Sequence, residues 1–310
     1  MAWITPSTQI LVIGAGELGT AFLPHLSALP DIHITLGIRT ISKYTKLASL
    51  NVSLLVLDIS GPSDQLAKTF ATYDIVISCT GFGQSPETVH KLANEILEAG
   101  KLREAEGRPP LWFFPWQWGA DYDVIGDGEG LMPLFGAQKE VRDMLREKAA
   151  NSNVIWTIVS TGIFMSFLFE QFWGVVDREG NNIIVRAFRD WNHQVTVTDV
   201  DDIGRILGRI VAGHVDSRNR ILYVAGDTVS YSRLADVVER LSGKGVKREQ
   251  WTIPYLKKEV DNDPDNIIKK YRLVFARDGV FWDKEQTVNY KLNVELVDVE
   301  TYLKRRPGLI

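Results

Sequence analysis

The run Gly14-Ala15-Gly16-Glu17-Leu18-Gly19 has the spacing of a phosphate-binding turn. It follows the apolar stretch 10–13 directly and opens a helical pattern, the context in which a G-x-G-x-x-G match carries meaning. Gly14 permits a tight turn, Gly16 lets the backbone approach a pyrophosphate, and Gly19 lets the helix pack closely on the strand. The amides of Glu17 and Leu18, at the head of that helix, are free to meet an anion. The chemistry implied is the binding of a dinucleotide. An ordinary glycine-rich turn is the alternative, and the strand–turn–helix setting counts against it.

The second signpost tells which dinucleotide. A site for NAD carries Asp or Glu about 20 residues further on, to accept from the ribose 2′-hydroxyl. This chain has Arg39 there, followed by Thr40 and Lys43. A guanidinium suits a 2′-phosphate, so the cofactor expected is NADP(H). Asp58 is a candidate for the adenine side, or the builder of a loop. Thr80, Gly81 and Phe82, after the fourth apolar run, belong where the middle of the cofactor would lie.

Candidates for the reaction itself are less sharp. None of the nine tyrosines has Lys four positions later, so the usual Tyr-x-x-x-Lys dehydrogenase pair is missing. There is no His-Glu-x-x-His and no Gly-x-Ser-x-Gly. Of the five histidines only His193 lies near a segment expected to form a pocket. Trp116, Gln117 and Trp118 follow the fifth apolar run, at the strand end where α/β sheets bind substrates; they form an aromatic wall or pack in the core. Lys139, on the next helix, is either an exposed lysine or a group that orients a ribose or donates a proton.

The elements that position these residues alternate. Buried strands are expected at 9–13, 33–38, 53–57, 74–79, 111–114 and 154–159. Helices are expected at 18–29, 42–50, 62–71, 86–99 and 132–150. That order predicts an α/β fold, a Rossmann-type doubly wound parallel sheet, over residues 1–155. A smaller α/β C-terminal lobe for substrate takes 156–310. The boundary is nominal, since the lobes are expected to interleave. In the second half 183–188 and 193–197 read as an extended pair, 199–212 and 230–241 as helices, 220–224 as a strand, 261–265 as a turn and 297–304 as a short helix.

Composition narrows the function. With 35 basic and 39 acidic residues and a net charge of −4, the chain lacks the basic excess of a nucleic-acid binder. One cysteine, Cys79, excludes an internal disulfide and a cysteine-rich metal site, and no metal is expected. The most apolar stretch, 163–176, is shorter than the roughly 20 residues that span a bilayer. The expectation is a cytoplasmic protein with a small-molecule substrate and no membrane or nucleic-acid partner; a homodimer is left open.

Taken in order, these residues resemble the NmrA-like and isoflavone-reductase-like proteins, which are atypical extended short-chain dehydrogenases. The resemblance covers about residues 9–245: the glycine turn, Leu36–Arg39 in sequence, 74–78, the block Phe113-Phe114-Pro115 ending in Gly119, Lys139-x-Val141-Arg142, 157–164 and 195–203. It implies an NADPH-dependent reductase. The family's lysine, in a Lys-x-Ile/Val-Arg setting, maps onto Lys139 and makes it the leading catalytic candidate, with Tyr122 or His193 assisting. It also places Gly162 and Phe164 on the loop that passes the nicotinamide. Phe164, Phe167, Trp173 and, more weakly, Trp191 then line a substrate pocket or pack beneath the second lobe. Gln117 stands where plant members have an acid, and the Trp/Gln form looks more like fungal members of secondary-metabolite pathways. The implied substrate is a bulky aromatic or alkaloid-type molecule reduced at C=C or C=N, with cyclisation as a variant. The alternative is an NmrA-type regulator that binds NADP and turns nothing over.

Overall fold

The computed structural model of the protein describes residues 8–81, 85–179 and 182–310. In chain order it begins β1 (Thr8–Ile13), α1 (Glu17–Ser27), β2 (Ile32–Ile38), β3 (Val52–Val56), α2 (Ser63–Ala71), β4 (Ile75–Ser78), α3 (Pro86–Ala105), β5 (Leu111–Phe114), the short α4 (Tyr122–Ile125), α5 (Pro133–Lys148) and β6 (Val154–Ser160). Then follow β7 (Ile163–Phe164), β8 (Val176–Glu179), β9 (Asn182–Phe188), β10 (Gln194–Thr198), α6 (Val200–Val211), β11 (Arg220–Tyr223) and β12 (Asp227–Ser230). The chain closes with α7 (Tyr231–Ser242), β13 (Val246–Trp251), α8 (Ile253–Asn262), α9 (Ile267–Phe275), α10 (Val288–Lys291) and α11 (Val299–Arg305).

Two compact units emerge, each discontinuous in sequence. The first takes the described residues up to Trp118, Gly136–Val159 and Ile203–Leu222; the second takes Gly119–Phe135, Ser160–Asp202 and Tyr223–Ile310.

The first unit is built on a seven-stranded sheet of order β11-β6-β5-β4-β1-β2-β3. Every pairing among β1 to β6 is parallel. Parallel strands inside a sheet are covered on both faces, which is why the central β4 and β5 read as apolar runs, whereas the edge strand β3 is only half-buried. Leu11, Val76 and Phe113 share one core with Phe70, Ile96 and Leu145 of α2, α3 and α5. Ile10 and Val12, which alternate with them on β1, are equally buried. The chain lays β2 and β3 to one side of β1, then β4, β5 and β6 to the other. The order therefore reverses between β1 and β4, and at such a switch point the strand ends splay to leave a crevice. This is the Rossmann-type α/β arrangement.

The second unit holds two three-stranded sheets, β12-β10-β7 and β13-β9-β8. Its core gathers Trp173, Phe188, Tyr231 and Phe275.

Three expectations are corrected. Residues 42–50 form no α-helix but two 3-10 turns, Ile41–Lys43 and Thr45–Leu47. Ser42 and Thr45 are poor helix formers, and Leu50 is fully exposed, so no apolar face is buried. The stretches 183–188 and 193–197 do not pair with each other: β9 pairs with β8 and β13, and β10 with β7 and β12. The turn expected at 261–265 starts later, since α8 runs on to Asn262 and α9 follows at Ile267.

Candidate functional site

The glycine turn has the geometry its spacing called for. Gly14 has φ +100, in the region that favours glycine, and a Cβ on it would sit 2.7 Å from the Cys79 carbonyl oxygen. A Cβ on Gly19 would fall 2.0 Å from the Gly14 carbonyl oxygen. That contact fixes how closely α1 lies on β1. Gly16 differs: nothing lies within 4 Å of where its Cβ would be. It is the N-cap of α1, and no side chain among the described residues caps that end. An uncapped helix N-terminus of this kind is a place where anions are received. Glu17 is exposed and Leu18 is buried beneath the turn.

Around this turn the carboxyl ends of β1 to β4 enclose a cleft of about 690 Å³ lined by Gly14, Gly16, Arg39, Lys43, Asp58 and Thr80, among others. The size lies within the range of small-molecule sites, about 300–1,000 Å³. Thr40 and Gly81 also line it. Arg39 and Lys43 are exposed, and among the described residues neither is held in a hydrogen bond or ion pair. Asp58 is occupied: its Oδ1 accepts from the Ser60 amide at 3.0 Å and the Ser60 hydroxyl at 2.7 Å. Those two bonds, with a smaller effect from the Arg39 charge, hold its carboxyl below the usual range. Asp58 thus builds the loop after β3. Thr80 Oγ1 lies 3.2 Å from Ser78 Oγ. Phe82 lies outside the described residues.

An open glycine cradle and two uncommitted cations fit a phosphorylated dinucleotide. The glycines and α1 amides would hold the diphosphate, and Arg39 with Lys43 the 2′-phosphate.

The groups expected to do chemistry sit differently. Lys139 Nζ pairs with Asp143 Oδ2 at 2.7 Å on a half-exposed stretch of α5. His193 is buried in the second unit, its Nε2 3.0 Å from the Phe275 carbonyl oxygen, so that nitrogen carries the proton and donates. Burial outweighs that bond and lowers its pKa, keeping the ring neutral. Tyr122 is buried too, edge-on to Phe135.

Nor do the aromatic candidates form one wall. Trp116 is half-buried. Trp118 is buried, with its Nε1 donating to the Ser78 carbonyl at 2.9 Å and its ring edge-on to Phe22. Gln117 is buried: its Nε2 donates to the Gln138 carbonyl at 2.8 Å, and its Oε1 accepts from Arg142 Nε at 2.7 Å. In the second unit Trp173 is core, 1% exposed and packed on Phe188 and Phe275. Phe164 and Phe167 are half-buried, Phe167 against Phe172 and Trp173. Trp191 has the Arg248 guanidinium 5.8 Å above its ring. Gly162, with φ +70, lets its backbone approach Thr196, whose carbonyl oxygen would be 2.0 Å from a Cβ.

One buried polar residue belongs to none of the sequence motifs. Gln138 is 1% exposed on the inner face of α5, and neither its Nε2 nor its Oε1 has a partner among the described residues. Among those residues no group of His, Cys, Asp and Glu could hold a metal, and no helix is long and apolar enough to cross a membrane.

Fold and cleft together define a Rossmann-type α/β protein with a phosphate-binding turn at its switch point. The chain belongs to the NmrA-like family, whose model matches residues 6–303. It is 36% identical over 313 residues to an NmrA-like family domain-containing oxidoreductase of Gibberella moniliformis, covering 96% of this chain and 98% of that one. It is 21% identical over 265 residues to the asnovolin J 5′,6′-dehydrogenase of Aspergillus novofumigatus, covering 79% and 72%. Among solved structures, AtPrR2 with NADP+ and (+)-pinoresinol superposes with a TM-score of 0.75 at 17% identity, covering 96% of this chain and 98% of that one. An isoflavone reductase superposes at 0.73 and 17%, covering 96% and 99%.

Proposed function

We propose that the protein is an NADP(H)-dependent oxidoreductase that reduces a bulky aromatic or polycyclic small molecule, an alkaloid-type one included, in secondary metabolism. The observation that carries this is the cleft in the first unit, where an open glycine turn and the free cations Arg39 and Lys43 stand at one end of the sheet. When bound, the cofactor supplies hydride from its nicotinamide. The chain's part is to fix that cofactor: α1 amides at the diphosphate, Arg39 and Lys43 at the 2′-phosphate, Thr80 and Gly81 along the ribose side. Support comes from the Gibberella relative, named as an oxidoreductase, and from the neighbour solved with NADP+ and (+)-pinoresinol. The Aspergillus relative is named as a dehydrogenase of asnovolin J, which supports an oxidoreductase acting on a small molecule.

One observation favours a second reading, an NADP-binding regulator without turnover. The side chains of Lys139 and His193 are engaged within the protein, and Tyr122 is buried. The experiment is NADPH oxidation, followed at the nicotinamide absorbance, against flat aromatics, quinones and cyclic imines, with cofactor affinity measured in parallel. Oxidation with one class supports the reductase. Tight NADPH binding with no oxidation and no rearranged product supports the regulator.

A further inference from the structure

We propose that the Gln138 carboxamide binds the nicotinamide riboside of the cofactor and is left without a partner until that ligand arrives. The inference rests on the NADP(H) reading and adds the residue that receives the cofactor's reactive end.

Buried polar side chains are nearly always hydrogen-bonded, and the neighbours of Gln138 obey that rule. Gln117 bonds the Gln138 backbone carbonyl and Arg142 bonds Gln117. Among the described residues the Gln138 side-chain amide is left over, neither of its polar atoms having a partner. It lines a cavity of about 20 Å³ with Ser78, Thr80, Thr88 and Trp116. That volume admits one water or one hydroxyl-sized group. Ile59, Thr80 and Thr88 border both this cavity and the large cleft.

The sheet order says which part of the dinucleotide comes here. On that reading Arg39 at the end of β2 would meet the 2′-phosphate, and the glycine turn at the end of β1 the diphosphate. The next strands in the sheet are β4 and then β5. An extended dinucleotide therefore continues over the ends of β4 and β5, where Thr80, Trp116 and Gln138 stand. A carboxamide donates and accepts. So do a ribose hydroxyl and the nicotinamide amide, which it can meet directly or through one water.

The test uses the full chain with Gln138→Leu and Gln138→Met, both apolar and close in volume. Three quantities are read: thermal unfolding without ligand, the Kd for NADPH, and the Kd for 2′,5′-ADP, which lacks the nicotinamide riboside. An orphaned amide contributes nothing favourable to the free protein, so the variants should melt at the wild-type temperature or a few degrees above. NADPH should bind about tenfold more weakly, the loss of one or two hydrogen bonds. The Kd for 2′,5′-ADP should stay within about twofold of wild type, since that ligand never reaches Gln138. A lower melting temperature, failure of both variants to fold, equal weakening of both ligands, or no weakening of either would each overturn the proposal. Wild-type protein that binds neither ligand would instead remove the NADP(H) reading.

Discussion

A guanidinium meets a phosphate as a planar two-pronged donor, and Arg39 stands at the end of β2 exposed and, among the described residues, outside any ion pair. Charge-assisted bonds of this kind contribute about 1.5–3 kcal/mol, so Arg39→Ala should weaken NADPH binding by about 10- to 150-fold. NADH, which has no 2′-phosphate, should bind much as before. Titration of cofactor fluorescence with both dinucleotides decides it, and an equal loss for the two would take Arg39 off the phosphate. Gly16 makes a second case. Its backbone is extended (φ −75), and no atom lies within 4 Å of where a methyl on it would sit. Gly16→Ala should thus leave stability within about 0.5 kcal/mol yet crowd the diphosphate, cutting NADPH affinity at least tenfold in the same titration. Both residues were legible because the glycine spacing and the basic residue after the second strand are local signals. The amide of Gln138 belongs to no motif, and its signal lies in the helical period instead. Val141 and Leu145 are apolar residues on the inward face of α5, and one helical turn before Val141 comes Gln138, not Lys139. The family pattern drew attention to the lysine; the helical period puts that lysine with Asp143 on the outer face.

Between elements, the close approach of α1 to β1 is set by a missing side chain. A methyl on Gly19 would sit 2.0 Å from the Gly14 carbonyl, which is backbone and cannot swing aside. Gly19→Ala should therefore destabilise the protein by about 2–3 kcal/mol and displace the turn; denaturant unfolding reads the first effect and loss of NADPH binding the second. In the second unit His193, just before β10, ties that strand to the end of α9 through the Phe275 carbonyl. Burial lowers its pKa below the ordinary 6.5. The unfolded chain then takes up the proton first as pH falls, so stability declines with acidification from about the ordinary histidine value down to the folded one. Between pH 7 and 5.5 wild type should lose more melting temperature than His193→Gln, and identical slopes would remove the histidine from the account. Strands β1, β4 and β5, in the middle of the sheet, were readable because burial on both faces leaves residues 10–13, 75–77 and 111–114 apolar throughout. β13 was not: its middle residues, Lys247, Arg248, Glu249 and Gln250, are those of a strand at the sheet's edge. Without it, β9 and β10 looked like each other's partners.

At the scale of the whole chain, sequence order and spatial unit part company. A boundary drawn at residue 155 falls inside β6. It also separates the first unit from Ile203–Leu222, which carries most of α6 and the edge strand β11. That segment is tightly seated, for a methyl on Gly204 of α6 would lie 2.7 Å from the Ala21 carbonyl of α1. Periodicity could mark α6 and β11 as helix and strand, but no local pattern says which sheet a late strand joins. A fragment of residues 1–155 would expose the flank of a broken β6 and the face of α1 that α6 covers. It should lack a cooperative thermal transition and show no stabilisation by NADPH. The full chain, at NADPH a hundredfold above its Kd, should gain about 2.7 kcal/mol, visible as a clear rise in melting temperature. A fragment that melted cooperatively and bound NADPH with the full chain's affinity would mean that the cleft needs only the N-terminal segments. The return of the chain at residues 203–222 would then serve something other than holding the cofactor site in shape.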